Sequence, residues 1–271
     1  MEVLVGFIFG ILFGSFLNVV VYRIPRDESV VFPASHCPTC KNKLKFYHNI
    51  PIISWLLLKR KCAYCKTDIS IQYPLVELIS GIITALIVAK YSLSIPVIFI
   101  SLSFLMLFAL SLIDFKYKMV PDSLNLLAIF FAVLGAWNPL GIIENLKNAF
   151  LFAGGFTLLR FALSYYLTSS VYRAGLKTKT PWNKHYDRTP MIEAMGEGDI
   201  MVGATMGALV GVELGLVGVF LSAVLALPVM LMVQNKSKEE QRVPYVPFLA
   251  LATFIVFLYD SQILSYIKAN Y

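Results

Sequence analysis

Four cysteines fall in one 29-residue window, Cys37 to Cys65, as two C-x2-C pairs separated by 21 residues. That spacing suits a tetrahedral zinc site: each pair makes a tight knuckle, and the intervening loop returns the second pair to the first. Four thiolates close the coordination sphere, so the zinc held by Cys37, Cys40, Cys62 and Cys65 is expected to be structural rather than catalytic. Two disulfides are the competing reading, disfavoured by the reducing compartment inferred below. His36, beside Cys37, is a possible ligand by type, but an ordinary loop histidine is the plainer account.

A second group of residues could do chemistry. Asp114 closes an apolar run, in Ser111-Leu-Ile-Asp114-Phe-Lys116, and Asp199 opens another, in Gly196-Glu197-Gly198-Asp199. Ionisable groups at the edge of a membrane span are functional candidates by default. Two facing aspartates can share the work of peptide hydrolysis, one activating water and the other protonating the leaving amine. Such a pair titrates as a coupled unit. Each aspartate also has a simpler reading as a helix cap. Asp122, after Pro121, is expected to cap a helix. Glu77 is expected at an interface, and Arg160 to snorkel or to pair with an acidic group. Gly203, Gly207, Gly211 and Gly215, each four apart, are expected to let another helix approach closely.

The elements that must carry these residues follow from composition. The chain has 271 residues, 58% hydrophobic and only 14% charged. These figures exclude a disordered chain, a coiled coil and most soluble enzymes. A span needs about 20 apolar residues. The apolar runs predict eight helices, at about 3–22, 73–90, 95–113, 123–140, 147–167, 199–214, 215–233 and 246–267. The fold class is all-α: a polytopic membrane protein with a small metal-binding module. Residues 1–22 form the first span, 23–72 the cysteine module, and 73–271 a seven-helix core with a polar loop at 168–198. Residues 50–58 are apolar but too short to cross. The N-terminus has no basic region of the signal-peptide kind.

The net charge of +7 also finds a place. Of the 23 Lys and Arg, 19 lie in the loops 23–72, 115–122, 168–198 and 234–245. By the positive-inside rule those loops are cytoplasmic, which puts the cysteine module and both aspartates on the cytoplasmic side. A basic balance explained this way gives no reason to invoke nucleic acid.

In order along the chain, six segments resemble the type IV prepilin peptidases, a family of membrane aspartyl proteases with a G-x-G-D motif. They are Gly14-Ser-Phe-Leu-Asn18 with Arg23 and Pro25; the two cysteine pairs; Asn49-Ile-Pro51-Ile-Ile-Ser54-Trp55; Tyr73-Pro74-Leu-Val-Glu77; Asp114 with Pro121-Asp122; and Gly196-x-Gly198-Asp199. The resemblance implies that Asp114 and Asp199 are catalytic. It implies substrates, the type IV prepilins and pseudopilins, cut after a glycine that ends a short basic leader. It implies residence in the bacterial cytoplasmic membrane, in contact with lipid. Members with the cysteine module are generally also N-methyltransferases, using S-adenosylmethionine on the new N-terminus. Composition and spacing show nothing of that second activity, and no glycine-rich nucleotide loop accompanies it.

The sequence departs from the family pattern in two places. Met201 stands where a Lys often follows Gly-Asp, and Lys116 where a second Asp often follows the first. Two other readings use the same residues: a peptidase without methyl transfer, and a transporter whose membrane aspartates carry protons or ions. A membrane-anchored zinc scaffold is a third, but it leaves the paired aspartates unexplained.

Overall fold

The computed structural model describes residues 1–135, 141–173, 195–233 and 243–270. Residues 174–194 of the predicted polar loop, and most of the basic loop 234–245, lie outside them. The described residues are helical, with two isolated β-bridges and no strand. The helices are α1 (Glu2–Arg23), α2 (Ile53–Leu57), α3 (Gln72–Tyr91), α4 (Ile95–Tyr117), α5 (Asp122–Leu134), α6 (Gly141–Arg173), α7 (Glu197–Val233), α8 (Val246–Leu258) and α9 (Asp260–Asn270).

Among the described residues five helices are long and apolar enough to cross a membrane, or six spans if α8 and α9, bent by 77°, count as one. The expectation of eight separate spans is not met in that form. One reason is α5, whose 13 residues rise only about 20 Å against a hydrocarbon core of about 30 Å. The other is that the two helices expected at 199–214 and 215–233 are both present but join across a kink at Gly211 into one 37-residue run.

That run is not straight. Gly211 sits inside it with φ 77° and ψ −174°, a conformation open to glycine and strained for other residues. Packing shows the chain folding back there. A Cβ on Gly203 would meet Phe156 of α6, one on Gly207 would meet Phe152, and one on Gly215 would meet Phe152 again. Gly218 lies 3.0 Å, measured from such a Cβ, from Met206 Sδ. A straight helix would hold residues 206 and 218 about 18 Å apart. The four-apart glycines therefore do admit a neighbouring helix, as their spacing suggests, but Gly211 serves as a turn.

Small residues also bring α1 and α3 together. A Cβ on Gly10 would lie 2.4 Å from Ser80 O, and one on Gly14 2.8 Å from the Glu77 backbone. The close approach lets Thr84 Oγ1 donate to Gly6 O at 2.7 Å, satisfying a buried hydroxyl between helices. The core is centred on α4, α7 and α8, with Leu105, Leu110, Ile113, Met206, Leu209, Leu249 and Phe257 fully buried, and takes in Leu17 of α1 and Ile87 of α3.

These packings set the site. The C-terminal end of α4, the N-terminal ends of α5, α7 and α8, and the cysteine module between α1 and α3 gather at one end of the bundle. Arg26, just beyond α1, donates to Tyr117 Oη of α4 at 3.0 Å and links the module to that end.

Candidate active site and metal centre

Asp114 lies in the last turn of α4, buried at 7% exposure. Its carboxylate does not stand free: the backbone N–H of Val246 donates to Oδ2 at 3.1 Å, and the N–H of Tyr245 also donates to it. Both donors come from the start of α8, where the first N–H groups of a helix have no partner of their own. Asp199 lies in the first turn of α7, half-buried, with the Gly196 N–H donating to its carboxylate.

Both carboxylates line one cavity of about 360 Å³, together with Lys118, Asp122, Glu197 and Tyr245. The structure thus brings together the two aspartates singled out from the sequence, and adds Asp122 to the same wall. Arg160 reaches Glu197, Nη1 to Oε1 at 3.0 Å, so the pairing alternative holds for that arginine. Glu197 itself is largely exposed.

The Gly-x-Gly segment has a packing reason. A Cβ on Gly198 would lie 2.5 Å from Val120 Cβ, so the first turn of α7 passes directly against the α4–α5 connection. A residue not singled out by sequence holds this contact. Asn125, fully buried on α5, donates from Nδ2 to Gly198 O at 3.2 Å, while its Oδ1 has no partner among the described residues. Its only signal in the sequence is an amide within the apolar run Leu124-Asn125-Leu126-Leu127, which periodicity alone does not mark as special.

The four cysteine sulfurs lie within 4.8 Å of one another. Cys37 Sγ and Cys65 Sγ are 3.8 Å apart. A zinc ion with Zn–S bonds of about 2.3 Å separates tetrahedral sulfurs by about 3.8 Å, so the cluster fits that metal. The two knuckles are copies of each other. Cys37 N–H donates to Asn42 O and Lys41 N–H to Cys37 O; Cys62 N–H donates to Thr67 O and Lys66 N–H to Cys62 O. Each turns at a lysine with positive φ, Lys41 at 60° and Lys66 at 61°. The sequence carries the repeat in short form, as Cys-x-x-Cys-Lys-Asn and Cys-x-x-Cys-Lys-Thr.

The thiols are electrostatically incompatible by themselves. Hydrogen bonds from the Thr67 hydroxyl and N–H lower the Cys65 thiol to about 6. The Asn42 N–H favours the Cys40 thiolate, but desolvation and the neighbouring Cys65 and Cys37 sulfurs outweigh it and raise Cys40 to about 11. A divalent cation removes that conflict by neutralising the shared charge. His36 is not part of the cluster; its Nδ1 lies 3.0 Å from Ala34 O. Glu77, also singled out, is buried on α3 and accepts the Ile52 N–H at 2.7 Å.

A helical integral membrane protein with two carboxylates lining one cavity at one end of its bundle, beside a four-cysteine module, is the class that fold and site define. Two family models match the chain: the bacterial peptidase A24 N-terminal domain over residues 8–91, and the type IV leader peptidase family over residues 101–231. The first match spans all four cysteines and the second both aspartates. Curated relatives bear the name prepilin leader peptidase/N-methyltransferase. That of Neisseria gonorrhoeae is 32% identical, covering 94% of this chain and 90% of the relative. That of Stutzerimonas stutzeri is 30% identical over 96% and 92%, and that of Pseudomonas aeruginosa 28% over 96% and 91%. No solved structure matches the chain. The chain belongs to the type IV leader peptidase family, and it is an enzyme, a peptidase by that membership.

Proposed function

We propose that this protein processes prepilins, cleaving the basic leader of type IV prepilins or pseudopilins after its terminal glycine and then N-methylating the new N-terminus. The observation that carries the reading is the shared cavity of Asp114 and Asp199, each at a helix end. The names of the relatives supply the substrate and the second activity.

The substrate's apolar helix docks along the bundle, and its leader unwinds at the end where the cavity opens. One aspartate takes a proton from water, which attacks the glycyl carbonyl; the other gives a proton to the departing amine. Asp114, held by two backbone N–H groups, keeps its orientation through the cycle. Asp199 is carried by the first turn of α7, which is pinned at Gly198 between Val120 and Asn125, so the placement of its carboxylate is held by packing. The site faces the cytoplasm, on the reading that 19 of 23 basic residues lie in loops of that side.

Cys37, Cys40, Cys62 and Cys65 hold a structural zinc ion, which fixes the module that the family associates with methyl transfer. S-adenosylmethionine is the methyl donor.

The test is an in vitro reaction of the purified protein in lipid with a prepilin and labelled methyl donor. Cleavage with label in the mature N-terminus is the expected result. Cleavage without label removes the methyltransferase half. No cleavage by the intact protein, under conditions where a relative cuts the same prepilin, overturns the reading.

A further inference from the structure

The cysteine module contains one feature that neither the metal nor the peptidase chemistry uses. Helix α2 presents Ile53, Leu56 and Leu57 to the outside, with 54%, 60% and 77% of their surfaces exposed. At positions i, i+3 and i+4 they form one apolar face of a helical turn and a half. The opposite side is anchored: Trp55 Nε1 donates to Ile69 O at 3.2 Å, and the Ile52 N–H donates to Glu77.

The Glu77 contact fixes the depth of α2. Glu77 lies five residues into α3, roughly 7.5 Å along a helix that begins at Gln72. The segment bonded to it therefore lies beside the first turns of a helix long and apolar enough to span, where lipid headgroups meet acyl chains if α3 enters the bilayer at its start. The chain then leaves α2 through Lys59, Arg60 and Lys61. Residues 41–66 hold seven Lys and Arg and no Asp or Glu.

We infer that α2 is an interfacial anchor, with Ile53, Leu56 and Leu57 seated among acyl chains and Lys59, Arg60 and Lys61 on anionic phosphates, so that the metal module lies flat on the membrane. An apolar face flanked by Lys59, Arg60 and Lys61, with Asp68 the one acidic residue bridged to Lys61, has the chemistry of an anionic lipid surface. A basic leader peptide is excluded as the occupant by charge, because the same basic residues repel it. The inference does not depend on the peptidase reading, only on residence in a membrane.

The test uses the full chain with Leu57→Trp as the one tryptophan, after Trp55→Phe, Trp137→Phe and Trp182→Phe, in vesicles of phosphatidylcholine with or without phosphatidylglycerol. Lipid brominated near the headgroup is expected to quench the emission of the introduced indole several-fold more than aqueous iodide does, with a further blue shift when phosphatidylglycerol is present. Charge reversal by Lys59→Glu, Arg60→Glu and Lys61→Glu is expected to abolish the difference between the two lipids. Stronger quenching by iodide overturns the anchor. Shielding from both quenchers also overturns it, because protein then covers the face. Equal behaviour in both lipids overturns the anionic specificity. If the tryptophan background does not fold, benzoylphenylalanine in place of Leu57 in the otherwise unaltered chain gives the same decision, since lipid adducts support the anchor and their absence refutes it.

Discussion

The side-chain amide of Asn125 donates to the carbonyl of Gly198 at 3.2 Å, joining residues 73 apart in sequence, one position before Asp199. Through this bond α5 positions the first turn of α7, which carries Asp199. Asn125→Ala removes the donor from a fully buried site, with an expected stability cost of about 1–3 kcal/mol. Its expected effect on cleavage is a fall in kcat of roughly 10- to 100-fold with KM little changed, the consequence of a misplaced carboxylate. A fall in thermal stability with kcat intact would reduce Asn125 to a structural residue.

The carboxylate pair itself gives a sharper outcome. Asp114→Asn and Asp199→Asn each keep the side-chain shape and remove the acid–base function. Each is expected to lower cleavage by about 10²- to 10⁴-fold, and the double variant to lose little more, since the two act as one unit. Methylation of a prepilin supplied already cut should survive in both. Retained cleavage in either single variant would refute the pair.

Gly198 tests the packing that brings Asp199 to the cavity. Gly198→Ala puts a methyl 2.5 Å from Val120 Cβ, closer than carbon atoms tolerate, so α5 or the first turn of α7 must shift. Cleavage is expected to fall. Val120→Ala alone should be mild, and adding it to Gly198→Ala should recover much of the activity. An additive loss in the double variant would mean that the contact does not set the geometry.

At the far end of the bundle a partly buried ion pair shapes α8. Lys90 Nζ, at the end of α3, donates to Phe257 O, Leu258 O and Asp260 Oδ1, and Tyr91 Oη donates to the other Asp260 oxygen. One lysine thus caps the C-terminus of α8 and pins the 77° bend into α9. Lys90→Met leaves Asp260 buried without its cation, with an expected cost of about 3 kcal/mol in thermal unfolding. Adding Asp260→Asn should recover part of it, because the unpaired charge is then gone. If the double variant is as unstable as the single one, the pair contributes only its carbonyl capping.

Much of this arrangement is legible in the sequence, for identifiable reasons. Cys37, Cys40, Cys62 and Cys65 are readable because metal ligation needs fixed residue types at short spacing. Asp114 and Asp199 stand out because charge is expensive beside apolar runs. Span boundaries are less legible. Gly211 looks like its four-apart neighbours Gly203, Gly207 and Gly215, and only backbone geometry separates the turn from the packing glycines. Asn125 is hidden because hydropathy patterns register one amide in a leucine run as noise, whereas a buried amide must find a partner. The Glu77 contact is hidden because it joins a module loop to a span 25 residues away.

The metal centre yields the last prediction, in which the sign follows from the thiols. Zinc binds thiolates, so binding expels whatever protons the free cluster holds. Near neutral pH the Cys40 thiol, raised to about 11, is protonated and must lose its proton, while Cys65, lowered to about 6, is already ionised. Affinity is therefore expected to fall as pH falls, by about tenfold per pH unit for each proton expelled. Below about pH 6 Cys65 also carries a proton, and the slope should steepen there. Competition with a chromogenic chelator between about pH 5 and 8, at about one zinc per chain, measures the slope directly. Thr67→Val takes away the hydroxyl that holds Cys65 low, so it should move the steepening to higher pH while leaving the stoichiometry unchanged. An affinity independent of pH, or one unaltered by Cys40→Ser, would mean that the four sulfurs do not share a metal.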